Sequence, residues 1–204
     1  MPARPDRAFM ATMVALQGAY LLGEDAESQS GFSGGRERWV EERSPLVEAI
    51  DRDGELLDVG CANGLLAADL VSWAADKGVT LVAHGVDLGE GLVQMARQRM
   101  PENRANFVVA DAWHWQPGRT WDYVYGLIDL APAGLTCPWF RLLAGWVAPG
   151  GRLIIGSYGS RSRGEEPIDV AGSLAACGFQ VAGSATGGHP ANSVFAWVDL
   201  PSPG

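Results

Sequence analysis

The 204-residue sequence has few cysteines, no basic excess and no long apolar run. Its three cysteines, Cys61, Cys137 and Cys177, are odd in number and far apart. No C-x-x-C or Cys/His spacing joins them, which argues against a disulfide scaffold and against a zinc site. No metal ligand set stands out. Lys and Arg total 15 against 24 Asp and Glu, a formal net charge of -9. A nucleic-acid binder carries a basic face, and none is evident. The opening MPARPDRAFM lacks the apolar centre of a secretory signal. No segment approaches the ~20 apolar residues that span a bilayer. Together these absences predict a cytoplasmic, reduced protein that engages neither nucleic acid nor membrane. Internal repeats and low-complexity linkers are also missing.

What is present is a 47% hydrophobic chain with 27 glycines, enough for one domain with a real core. The acidic balance is compatible with a cationic substrate, and it is also how ordinary soluble proteins stay soluble. Ala8–Leu22 has helical spacing through Phe9, Met13, Leu16 and Tyr20. GEDAESQSGFSGG follows as a loop or lid, and Arg36–Ile50 returns to a helical pattern that breaks at Pro45. From Glu55 strands and helices alternate. Strands are predicted at Leu56–Gly60, Thr80–Asp87, Phe107–Ala110, Trp121–Tyr125, Arg152–Tyr158, Phe179–Ala182 and Val194–Leu200. Helices are predicted at Leu65–Lys77, Gly91–Met100, Pro138–Val147 and Ile168–Cys177. Several strands are apolar on both faces, as in a mostly parallel sheet covered by helices. The last two strands lack a helix between them and should pair as an antiparallel hairpin.

The chemistry concentrates at strand ends. DVGCANG, residues 58–64, ends a strand on Asp58 and turns through Gly60, Ala62 and Gly64. A dinucleotide turn wants G-x-G-x-x-G, and this spacing differs. Asp58 would repel phosphate and suits an amino group. GVDL places Asp87 where a carboxylate accepts both ribose hydroxyls. VVADAW places Asp111 to accept from an exocyclic adenine amine. A ligand with an ammonium, a ribose and an adenine but no phosphate is S-adenosylmethionine.

From about Glu55 to Leu200 the sequence resembles the class I S-adenosylmethionine-dependent methyltransferases, within them the small bacterial enzymes of secondary metabolism. The resemblance rests on DVGCANG, GVDL, ADAW, WDYVYG and APGGRLIIGSY, in that order. Ala62 stands where the first motif usually has glycine. The resemblance implies a Rossmann-like α/β fold with a seven-stranded sheet, mostly parallel, the last strand antiparallel beside the fifth, and helices on both faces. It implies an N-terminal helical lid over residues 1–50 and a methyltransferase domain over 51–204. The cofactor would meet Asp58, the turn Gly60, Cys61, Ala62 and Gly64, the ribose acid Asp87, and Leu88, Asp111, Ala112 and Trp113 around adenine. Gly126 and Leu127 would offer backbone to its methionine end.

Methyl transfer needs a positioned nucleophile and excluded water, with a base or water to take a proton. Asp129, in the apolar loop GLIDLAPAGLTCPW, reads equally as a catalytic or substrate-holding acid and as a turn residue. Tyr158 either lines the pocket or packs, His189 lies in the last hairpin turn, and Tyr20 and Phe32 are lid aromatics for the acceptor. Trp39 reads as core, His114 as structural, and Arg161 and Arg163 as facing solvent. The Asn/Asp-Pro-Pro-aromatic pattern of nucleic-acid amine methylation is absent. The resulting expectation is a small-molecule methyltransferase, leaning to N-methylation of an amine such as an aminosugar or aminoglycoside in antibiotic biosynthesis. Its alternatives are a small-molecule O-methyltransferase, an RNA methyltransferase and a catalytically silent cofactor-binding module.

Overall fold

The computed structural model describes residues 4–202. Seven strands form one sheet in the order β3-β2-β1-β4-β5-β7-β6. They are β1 (Gly54–Val59), β2 (Leu81–Asp87), β3 (Phe107–Val109), β4 (Trp121–Leu127), β5 (Val147–Tyr158), β6 (Gly183–Gly187) and β7 (Ser193–Asp199). Neighbours from β3 through β5 pair parallel, whereas β7 runs antiparallel between β5 and β6. The expected seven-stranded sheet with its antiparallel last strand beside the fifth is therefore present.

Successive side chains of a strand point to opposite faces, so a strand apolar at every position must be covered twice. Leu57, Val59, Val124, Leu153 and Ile155 pack with Trp139, Phe140 and Leu143 of α5 (Thr136–Ala144) and Val170 and Leu174 of α6 (Val170–Ala176). Leu56, Tyr123, Tyr125 and Ile154 face the other way, onto Leu70 and Ala74 of α3 (Leu65–Asp76). α4 (Glu90–Arg99) adds Val93 and Ala96 beside Phe107.

Several boundaries differ from the sequence expectation by a residue or two, and three differences have a structural reason. α5 stops at Ala144, so Val147 opens β5 instead of closing a helix. α6 starts at Val170 because Asp169 caps it, accepting from the Gly172 N–H at 2.9 Å. β6 covers Gly183–Gly187, not Phe179–Ala182. Phe179 instead packs edge-to-face on Phe140. β6 is an edge strand of small residues, recognisable only by its pairing with β7.

The expectation of fully reduced cysteines is corrected. Cys137 and Cys177 form a disulfide, with Cα atoms 5.2 Å apart. They are 40 residues apart in sequence, a separation that gives no pairing signal. α5 and α6 lie side by side on one face of the sheet and bring them together. Cys61 is a free, buried thiol.

The first fifty residues divide into two behaviours. α1 (Arg7–Leu21) has no fully buried residue. The remainder is tied to the body. In α2 (Gly35–Arg43), Arg36 forms a two-pronged ion pair with Asp69 at 2.6 and 2.7 Å, and the Trp39 indole N–H donates to the same carboxylate at 2.7 Å. Asn63, inside the strand-to-helix turn, accepts from Ser30 and donates to the Ala26 carbonyl. α1 is thus the least buried helix of this segment. Among the described residues no helix is long and apolar enough to cross a membrane.

Candidate functional site

The carboxyl ends of β1 to β5 open into one cavity of about 590 Å³, roofed by α1 and walled by α2. α1 lays Phe9, Met10, Met13, Gln17 and Tyr20 over it, a single stripe at helical spacing. Parallel strands all present their carboxyl ends on one edge, which is why acids distant in sequence meet here.

Asp58 ends β1 and is 3% exposed. Its carboxylate has no hydrogen-bond partner among the described residues, and it lines the cavity. Burial, with the neighbouring charge of Asp87, raises its pKa to about 7. Asp87 is better satisfied: its oxygens accept from the Ala62 N–H at 2.9 Å and the Gly89 N–H at 2.8 Å. Burial raises its pKa and these backbone donors oppose the rise. A carboxylate has about four acceptor positions, so Asp87 keeps room for further donors. Asp111 accepts from the Trp113 N–H at 3.0 Å and holds His114 Nδ1 at 2.5 Å. Its own turn thus engages both oxygens, and His114 serves to orient it.

The turn after β1 passes through left-handed backbone, Gly60 at φ +83° and Ala62 at φ +45°. That conformation keeps the turn close against the cavity, with the Gly60 and Cys61 N–H groups donating to the Val86 carbonyl and the Ala62 N–H to Asp87. A side chain at Ala62 carries a steric penalty there. Ala62→Gly is therefore expected to stabilise the fold by roughly 0.5–1 kcal/mol, net of glycine's greater unfolded-state entropy. Thermal melts of the ligand-free protein measure this, and an unchanged or lower midpoint would refute it.

Most residues singled out from sequence meet in this cavity: Asp58, Gly60, Cys61, Ala62, Asp87, Leu88, Asp111, Ala112, Trp113, Leu127, Asp129, Tyr158, Tyr20 and Phe32. Burial and two nearby carboxylates push the Cys61 thiol well up, so it offers backbone and bulk, not reactivity. Leu127 lines the cavity, but its carbonyl already accepts from the Trp139 indole N–H at 2.9 Å. Trp139 stacks on Trp113 with ring centres 5.0 Å apart, fixing the wall near Asp111.

Three residues fall outside. Gly64 sits beneath the turn against Ala96 and Phe107. Gly126 is buried against Leu143 and Val59. His189 is exposed and does not line the cavity. The same hairpin turn contributes Asn192 instead, which is buried and reaches the cavity wall.

Sequence reasoning missed the arginines. Arg38 and Arg43 of α2 line the cavity, and so do Arg161 and Arg163, which are exposed at its rim. Trp39 is both core and cavity wall. RERWVEER is dense in charge and reads as a solvated helix. The one available signal was the indole within it, which turns that face inward. Beside these arginines the Tyr125 and Tyr158 hydroxyls share a hydrogen bond of 2.7 Å. Asp129 sits at the rim with its pKa raised by burial and by Glu165.

Residues 56–151 match the family described as methyltransferase domain. No curated protein matches the chain. Its fold is similar to that of the N-methyltransferase NodS from Bradyrhizobium japonicum WM9, crystallised with S-adenosyl-L-homocysteine. The two are 14% identical with a TM-score of 0.69, over 94% of this chain and 99% of that one. It is also similar to 1,6-didemethyltoxoflavin-N1-methyltransferase from Burkholderia thailandensis, at 17% identity and a TM-score of 0.67, over 99% and 93% of the respective chains. The (4+2)-cyclase SpnF shares the fold at 16% identity and a TM-score of 0.63, over 100% of this chain and 99% of its own. Fold alone therefore does not fix the reaction. Over residues 56–151 the chain thus matches the methyltransferase-domain family, and its fold is that of the class I S-adenosylmethionine-dependent methyltransferases.

Proposed function

We propose that the chain is an S-adenosylmethionine-dependent methyltransferase acting on a small molecule, with an amine nitrogen as the favoured nucleophile. The observation that carries this is the set of three acids, Asp58, Asp87 and Asp111, at the ends of β1, β2 and β3 on one cavity. Asp58, buried and unpartnered, fits an ammonium group. Asp87, with acceptor positions to spare, fits two vicinal hydroxyls. Leu88, Ala112 and the stacked Trp113 fit a flat base near Asp111. No phosphate group would be tolerated beside Asp58.

When bound, S-adenosylmethionine supplies a methyl already activated on a sulfonium, which leaves as S-adenosylhomocysteine after transfer. The chain's part is to hold the two reactants in line and keep water out. α1 closes the roof with apolar side chains. The Tyr125–Tyr158 pair is suited to orienting the acceptor by hydrogen bonds. Asp129, whose pKa burial and Glu165 raise, would take the proton that a methylated amine releases.

The preference for nitrogen is supported by NodS and the didemethyltoxoflavin enzyme, both N-methyltransferases by name. The aminosugar expectation drew on the net charge of -9. The cavity wall next to Tyr158 carries arginines instead, so the overall charge gives that choice no local support.

Calorimetry with S-adenosylhomocysteine and, separately, NADH tests the donor. The homocysteine compound should bind and NADH should not. A screen of amine and phenol acceptors with radiolabelled methyl donor then tests transfer. Labelling confined to phenols would replace the amine reading by O-methylation. Tight donor binding without labelling of any acceptor would favour a silent cofactor-binding module.

A further inference from the structure

We propose that the arginine group beside Tyr158 is a recognition site for a carboxylate carried by the methyl acceptor, with Arg43 as its central residue. The proposal deepens the methyl-transfer reading above and rests on it.

Arg43 is 5% exposed and lines the cavity. Its guanidinium lies 3.4 Å above the Tyr158 ring centre, 4.8 Å from that of Phe32 and 5.1 Å from that of Trp39. Three aromatic rings thus hold the group in place, yet it makes no hydrogen bond among the described residues, and its Nη1 atom is buried without one. Among the described residues its only ionic neighbour is Glu42, 3.5 Å away. That contact is made by the buried Nη1 itself, so the donors left for a ligand are Nε and Nη2, which make no hydrogen bond among the described residues. Buried donors left unused are costly unless an acceptor meets them.

Glu42 does not neutralise the wall. It is fully buried and shared between Arg43, Arg38 at 3.1 Å and Arg161 at 3.3 Å. The Asn192 amide also donates to it at 2.9 Å. One carboxylate therefore serves three guanidiniums and leaves positive charge in excess. The other charges nearby are Arg163, paired with Glu165 at 2.8 Å, and Asp129 on the rim. Glu42 acts here as a positioning residue, anchoring the arginines from behind.

A planar guanidinium with a fixed face and a free edge matches a carboxylate through two parallel N–H···O bonds. Two carboxylates are candidates, that of the acceptor and that of the donor's own methionine. The acceptor is favoured by placement. Asp58 on β1 stands opposite Tyr125 on the neighbouring β4, Tyr125 shares its hydroxyl hydrogen bond with Tyr158 on β5, one strand further along, and Arg43 stacks on Tyr158. The tyrosines thus lie between the ammonium site and the arginine. Arg161, from the loop after β5, reaches the same Glu42 as Arg43.

The test uses the full chain saturated with S-adenosylhomocysteine. Benzoate is titrated against benzamide, and 4-aminobutyrate against its primary amide, by calorimetry. At least one acid should bind about tenfold or more tightly than its amide, as expected when a charged two-pronged pair is lost. Arg43→Met should abolish that preference and leave S-adenosylhomocysteine affinity within about twofold. Arg161→Gln, at an exposed position that does not endanger the fold, should reduce it. If no acid outbinds its amide, or if Arg43→Met weakens S-adenosylhomocysteine instead of the acid, the assignment to the acceptor is wrong. Failure of S-adenosylhomocysteine to bind wild-type protein at all would overturn the underlying reading. The acid titration without it separates that failure from the other.

Discussion

Asp58→Asn is expected to abolish useful donor binding while making the ligand-free protein more stable at alkaline pH. The two effects share one cause. The carboxyl is buried without a partner, and its pKa stands at about 7 in the folded chain against an ordinary value of 3.8. A raised pKa means that the folded state holds the proton more tightly than the unfolded state between those values. Stability from this group is therefore greatest below about pH 4 and falls as pH rises through about 7. Above that, the wild type carries an uncompensated buried charge and the Asn variant does not. The variant should gain roughly 1–3 kcal/mol over wild type at pH 8 and little at pH 4. Donor affinity moves the other way, because only the ionised form receives an ammonium. Wild-type affinity for S-adenosylhomocysteine should fall about tenfold per pH unit below about 7 and level off above it. The Asn variant should be flat across this range and about a hundredfold weaker at pH 8. Equal affinities of the two proteins at pH 8 would remove Asp58 from the donor site.

The second large effect concerns the cross-link between α5 and α6. Closing a loop of 40 residues removes chain entropy from the unfolded state. The loop-length relation puts this at about 4 kcal/mol, or a melting shift of about 8–16 °C for a chain of this size. Reductant, Cys137→Ser and Cys177→Ser should each lower the midpoint by a similar amount and should not add to one another. Thiol titration of the unreduced, unfolded protein should find one reactive group, Cys61. Three reactive thiols together with a reductant-insensitive midpoint would show that the bond does not form.

These two cases mark the boundary of what the sequence discloses. Strand-end acids are legible because a parallel sheet gives each strand end a fixed place relative to the next. A short apolar run ending in Asp58 or Asp87 therefore states both position and chemistry. The disulfide and the arginine wall are not legible, because they depend on which helices lie side by side. Nothing in the spacing of Cys137 and Cys177 records that α5 and α6 are neighbours. Arg43 looks solvated within its charged helix, and its burial follows from α2 leaning on α3 through Trp39. His189 failed for a related reason. The hairpin was expected and does reach the site, but the side chain aimed inward belongs to Asn192. β6 escaped because small residues on an edge strand carry no periodic signal of their own.

α1 covers the Asp87 side of the cavity without fully burying any residue of its own. Little apolar contact holds it down, so detaching it costs far less than opening any other wall. Substrate and spent cofactor need a way in and out, and this helix is the cheapest door. Turnover would then follow how often the door swings, and thickening the solvent with a viscogen would slow it even where the methyl step itself is fast.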